Sequence, residues 1–117
     1  MVAMKISVTS QGDIQILELA GELDYHSSPE LREKLSELTG KQAPKILVNL
    51  GGVDYMDSSG IATFVEAFQK AKRYQGRLIL AALTTTVRGV FEIAKLDSIF
   101  EITPTVAEAA GLLDAKA

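Results

Sequence analysis

Between residues 45 and 68 the hydrophobic pattern changes from a continuous run to a helical stripe, and few folds accommodate that junction. Lys45-Ile46-Leu47-Val48-Asn49-Leu50 is nearly all apolar, as expected of a strand covered on both faces. Ile61, Phe64, Val65 and Phe68 then recur at i, i+3, i+4 and i+7, the stripe of a helix lying on a sheet. A doubly covered strand feeding directly into a helix is half of a parallel crossover unit, which makes the chain α/β.

The flanking sequence extends this alternation. Ile6 and Val8 alternate with polar residues, and Ile14 to Leu19 follows Gln11-Gly12-Asp13, predicting an antiparallel hairpin with a tight Gly-containing turn. Gly21-Glu22-Leu23-Asp24 breaks the second strand. Ser27 and Glu30 fit a capping box, Pro29 suits a first turn, and Leu31, Leu35 and Leu38 supply a buried stripe that Gly40 ends. Gly51-Gly52 reads as a flexible turn leaving the buried strand. Further on, Arg77 to Leu83 is a strand, Val87 to Ala94 a short helix with Val87, Val90, Phe91 and Ala94 on one face, and Ile99 to Ile102 a short strand. Thr105 to Glu108 is a second capping box opening a helix on Val106, Ala109, Ala110 and Leu113. The sum is one domain over residues 1–117, a mixed sheet of about five strands covered by about four helices.

Charge and composition narrow the function classes. The net charge of -3 and the scattered Lys and Arg argue against a nucleic-acid surface. Lys70, Lys72, Arg73 and Arg77 near the end of one helix read as a solvated face favourable to its dipole. With no cysteine, disulfides, thiol catalysis and Cys-based zinc sites are excluded together. Met1-Val2-Ala3-Met4-Lys5 lacks the blocks of a signal peptide, and Leu78 to Leu83 is too short to span a bilayer. A cytoplasmic protein without membrane insertion is expected.

The strand-to-helix junction carries Asp57-Ser58-Ser59-Gly60. The first turn of the helix has amide groups without intrahelical partners, and its dipole favours an anion on Ser58 or Ser59. Plain capping demands the same residue types. A serine hydrolase would need Gly-x-Ser-x-Gly and a late histidine, whereas the only histidine, His26, lies upstream; His26 reads as an exposed loop or interface residue. Asp54 and Asp57 have the spacing to share Mg2+, but Asp57 also fits a helix cap and Asp54 a bond to its own loop. No P-loop lysine accompanies Gly51-Gly52. Neither a cofactor, a metal nor a catalytic residue is expected.

These residues carry a resemblance. Asp57-Ser58-Ser59-Gly60, the upstream Gly21-Glu22-Leu23-Asp24, the apolar Leu50, Val53, Tyr55 and Met56, and the late segment Val87 to Leu96 together resemble the STAS domains, in particular the stand-alone bacterial anti-sigma-factor antagonists. The resemblance implies that Ser58 is phosphorylated by an anti-sigma factor with serine kinase activity and dephosphorylated by a protein phosphatase. The unphosphorylated form would bind the anti-sigma factor and free a sigma factor. Asp57, Ser59, Gly60 and Asp54 would surround the phosphosite, and Gly21, Glu22, Leu23, Asp24, Tyr25, Met56, Ser58 and Ile61 would face the partner. Leu23, Tyr25 and Tyr55 are expected to be exposed apolar residues. Departures from the family pattern are Ile61-Ala62 in place of Leu-Gly, Gly51-Gly52 in place of more polar residues, and Lys95 at a turn often held by glycine. Two alternatives stand beside this one: a constitutive STAS subunit of a transporter or signalling complex, in which Ser58 is only a cap, and a small anion or nucleotide-binding sensor.

Overall fold

The computed structural model describes residues 4–114; the first three residues of the N-terminal segment and the last three of the 1–117 span lie outside them. The elements are β1 (Lys5–Gln11), β2 (Ile14–Leu23), α1 (Ser28–Gly40), β3 (Lys45–Met56), α2 (Ser58–Arg73), β4 (Arg77–Ala81), α3 (Thr85–Ile93), β5 (Glu101–Thr103) and α4 (Val106–Asp114). The five strands lie in sequence order. β1 and β2 are antiparallel and every later pair is parallel, as the alternation predicted.

A monotone strand order with right-handed crossovers forces successive connecting helices onto one face. α1, α2 and α3 accordingly share the larger core, where Leu31, Leu35, Phe64 and Phe91 pack on Leu17, Leu19, Val48, Leu50 and Leu80. α4 follows the last strand and closes the other face through Ala109 and Leu113 on Ile14, Leu47 and Ile79. Arg77, expected with the basic residues at the end of α2, instead opens β4 and pins this corner: its guanidinium donates two 2.7 Å bonds to Glu101 and one to the Leu112 carbonyl. The hydrogen bonds to Arg77 hold the Glu101 carboxyl below its ordinary range.

Several local expectations are corrected. β3 does not end at Leu50 but continues to Met56, so Gly51-Gly52 is strand and not turn. β2 runs alongside it to Leu23 with two register shifts, and a Cβ on Gly52 would stand 2.8 Å from the Leu19 carbonyl oxygen; glycine lets the two backbones approach at the irregularity. The Ser27 capping box does not form, because the Ser27 hydroxyl donates to the Glu22 carbonyl instead of capping α1. Gly40 is the last helical residue, and the left-handed conformation that follows belongs to Gln42 (φ 56). β4 stops at Ala81 because Ala82 takes φ 61, and Leu83 is outside the strand. β5 starts two residues later than expected, and in α3 only Val87 and Phe91 are buried while Ala94 is exposed. Of the second capping box, the Thr105 hydroxyl accepts from Glu108 N. Lys95 has φ 59, a conformation glycine adopts without cost, which gives the departure at that turn a physical meaning.

Candidate functional site

Adjacent parallel strands release their chains at the same end of a sheet. Leu23 ends β2 and Met56 ends β3, and the two are register partners. Gly21 to Asp24 therefore lies beside Asp57 to Gly60. Gly21 takes φ 112 at the second register shift, a conformation closed to other residues without strain.

Asp57 is the hub of this corner. Its backbone is extended and its N–H donates to the Leu23 carbonyl (3.2 Å). Oδ1 accepts from Ser59 N (2.9 Å), capping α2, and Oδ2 accepts from Tyr25 N (3.2 Å) in the loop before α1. Its carbonyl accepts from Gly60 N and Ile61 N. One carboxylate thus fixes the helix start and the neighbouring loop together. Asp57→Ala is expected to cost about 1–2 kcal/mol of stability through the lost cap, with added amide-exchange rate at Tyr25, measurable by denaturant titration and hydrogen exchange.

The loop has its own internal frame. Asp24 Oδ1 accepts from His26 N and Ser27 N, while Ser27 Oγ accepts from Asp24 N. The Ser27 backbone bond is the main cause holding the Asp24 carboxyl below its ordinary range. This frame presents Tyr25, 74% exposed, with the His26 ring edge-on at 5.6 Å. His26 is an exposed loop residue, as its position suggested.

Ser58, first residue of α2, is exposed, and Ser59 and Ile61 are half-buried. Asp54 and Tyr55 are exposed on β3. Among the described residues Asp54 makes no side-chain hydrogen bond, so the expected bond to its own loop does not form, whereas both Asp57 oxygens accept backbone N–H groups, the capping role its position suggested. Leu23 and Met56 correct the expected contact surface. Leu23 is fully buried and Met56 is 3% exposed, because both side chains pack where Gly60 leaves space. Both lie beneath the exposed residues of this corner, as does buried Gly21. Sequence reasoning missed Thr84, whose hydroxyl caps α3 at Val87 N and donates to the Val53 carbonyl; its signal was a threonine three residues ahead of an apolar helical stripe.

Comparison with known proteins decides the family. Residues 5–109 match the STAS domain. The chain belongs to the STAS domain family. This STAS chain is 38% identical over 94 residues to the anti-sigma-B factor antagonist of Bacillus subtilis (strain 168), covering 80% of this chain and 84% of the relative. Its fold is similar to the phosphorylated form of the Bacillus cell fate determinant SpoIIAA, with TM-score 0.74, 27% identity and coverage of 95% and 99% of the two chains. An anti-sigma factor antagonist from Mycobacterium paratuberculosis shares the fold at TM-score 0.89 and 18% identity, covering 97% and 96%. Among the described residues, no helix of the STAS chain is long and apolar enough to cross a membrane.

Proposed function

We propose that this chain is an anti-sigma-factor antagonist whose binding to an anti-sigma factor with serine kinase activity is switched off by phosphorylation on Ser58 and restored by a protein phosphatase. The observation that carries the reading is the setting of Ser58. It is an exposed hydroxyl on the first residue of a helix, flanked by a carboxylate whose oxygens are already bonded to Ser59 N and Tyr25 N. A kinase can reach such a hydroxyl without unfolding anything, and the positive helix end tolerates the phosphate that results.

In this reading the chain is a substrate and a ligand, not a catalyst, and it works in the cytoplasm, where sigma factors act. The partner meets Ser58, Tyr25 and Tyr55 together with the half-buried Glu22, Asp24 and Ile61. Its relatives' names as antagonists support the role, and the exposed tyrosines supply the apolar area that an interface centre uses. The test is intact mass and phosphosite mapping of the protein from its own host, prepared with phosphatase inhibitors. A single phosphate on Ser58 is expected; a chain unmodified through growth, starvation and stress overturns the switch and leaves Asp57-Ser58-Ser59-Gly60 as a helix cap.

A further inference from the structure

We infer that the free edge of β1 pairs with β1 of a second copy of this chain, joining two five-stranded sheets across a two-fold axis. β1 is one border of the sheet, and among the described residues nothing pairs with its outer side. Six of its seven residues are exposed, and Val8 at its centre keeps 41% of its surface in water. A border strand is normally blunted by proline, a bulge, charges or brevity. β1 has no proline, pairs with β2 without a register shift, and holds one charge, Lys5, at its end. The opposite border, β5, is only three residues long.

The hairpin fixes which backbone groups are free. Gln11 and Ile14 are register partners across the two-residue Gly12-Asp13 loop, with Gly12 at φ 62, the geometry of a type II′ turn. The pair closing such a loop exchanges both its backbone bonds, and bonded pairs alternate along an antiparallel ladder. Lys5, Ser7, Thr9 and Gln11 therefore spend their N–H and C=O groups on β2. Those of Ile6, Val8 and Ser10 point outward.

This outward row is complementary to itself. Antiparallel pairing about Val8 is the register that engages all seven residues. It sets the Val8 residues of the two copies against each other and each Ile6 against a Ser10, so every outward N–H meets a C=O and six backbone bonds form. The half-exposed Val8 side chains meet on one face as a β-branched pair. No like charges are opposed: Lys5 faces Gln11, and the exposed Asp13 of the other copy is its diagonal neighbour. The assembly closes, because the two-fold axis consumes both long borders and leaves the short β5 at each end. The strands of the two copies run in opposite directions, so the two Asp57-Ser58-Ser59-Gly60 corners lie at opposite ends of the joined sheet and each stays free. Pairing at β1 is independent of phosphorylation on Ser58.

The experiment is sedimentation velocity of the full chain in a concentration series up to about 1 mM, the weak limit of a small transient interface, with amide hydrogen exchange measured at both ends of the series. A monomer–dimer equilibrium is expected. Amides of Ile6, Val8 and Ser10 slow as concentration rises, and those of Lys5, Ser7, Thr9 and Gln11 keep their rates. Val8→Lys and Val8→Glu, each setting like charges face to face on the axis, weaken association about tenfold or more, and an equimolar mixture of the two regains it as a heterodimer. Ile93→Lys, which adds the same charge at an 86% exposed position on α3, leaves association unaltered. Dilute samples of the variants melt within a few degrees of the unaltered chain, because both positions are on the surface. The pairing is overturned by a chain that stays monomeric throughout the series, which leaves the edge to a strand of another protein. It is equally overturned by protection that does not alternate along β1, by a mixture no tighter than either variant alone, or by Ile93→Lys weakening association as much as Val8→Lys.

Discussion

Phosphorylation of Ser58 is expected to weaken binding to the anti-sigma partner roughly 30-fold to several-thousand-fold. The group adds about -1.5 to -2 charges at neutral pH at an exposed position directly beside Asp57. In the free protein this costs little, since water and the positive end of α2 solvate the phosphate. In the complex the phosphate must lose water against whatever surface the partner presents, a penalty of about 2–5 kcal/mol, and each ~1.4 kcal/mol is tenfold in affinity. The switch is therefore a property of the complex and not of the fold. Ser58→Asp carries one charge in place of nearly two and should weaken binding about 10-fold or more by the same desolvation. Ser58→Ala should bind within about threefold of the unmodified chain, because most interface side chains cost less than about 1 kcal/mol when truncated. Calorimetric titration of the three forms against the kinase partner decides the matter, with thermal melts within a few degrees of one another as the control. Equal affinity of Ser58→Ala and Ser58→Asp would sink the mechanism.

The placement of Ser58 was legible in the sequence because it depends on local signals. A continuous apolar run, a Ser/Asp/Gly cluster and a 3.6-residue stripe can be recognised without knowing what packs against them, and β3, Asp57 and α2 follow in that order. The parallel order was legible for the same reason. What escaped the sequence is what depends on a neighbour. Gly51-Gly52 is a turn by local rules, but pairing with β2 holds it extended and the close approach of Leu19 and Ala20 demands glycine at 52. Ser27 has the right spacing for a capping box, yet Asp24 and Glu22 engage its hydroxyl first. The burial of Leu23 is invisible locally, because Gly21-Glu22-Leu23-Asp24 reads as a polar breaker; only the arrival of Gly60 shows why an apolar residue stands there.

Contact between Leu23 and Gly60 also explains why two motifs far apart in sequence occur in one chain, and it yields the largest stability effect expected here. A Cβ on Gly60 would stand 2.8 Å from Met56 Cγ and 2.9 Å from Leu23 Cγ and Cδ2, all buried. Those atoms have no solvent to retreat into. Gly60→Val is expected to destabilise the fold by about 3 kcal/mol, the upper end of overpacking costs, lowering Tm by roughly 10–15 °C for a domain of this size. Leu23→Ala should cost a similar ~3 kcal/mol by opening a cavity. Valine adds to glycine as many carbon atoms as Leu→Ala removes, so the double variant nearly conserves volume at the contact. It should fall short of the summed loss by about 1–3 kcal/mol, the coupling expected of touching residues. Denaturant titration of the four proteins measures that coupling directly. Additive losses would mean that Gly60 is required for some reason other than Leu23, and the packing link between the partner-facing loop and the phosphosite helix would be lost with it. A measured coupling would instead make the phosphosite helix and the loop carrying Tyr25 one mechanical unit, joined in the core by Leu23 and Gly60 and at the surface by the Asp57 carboxylate.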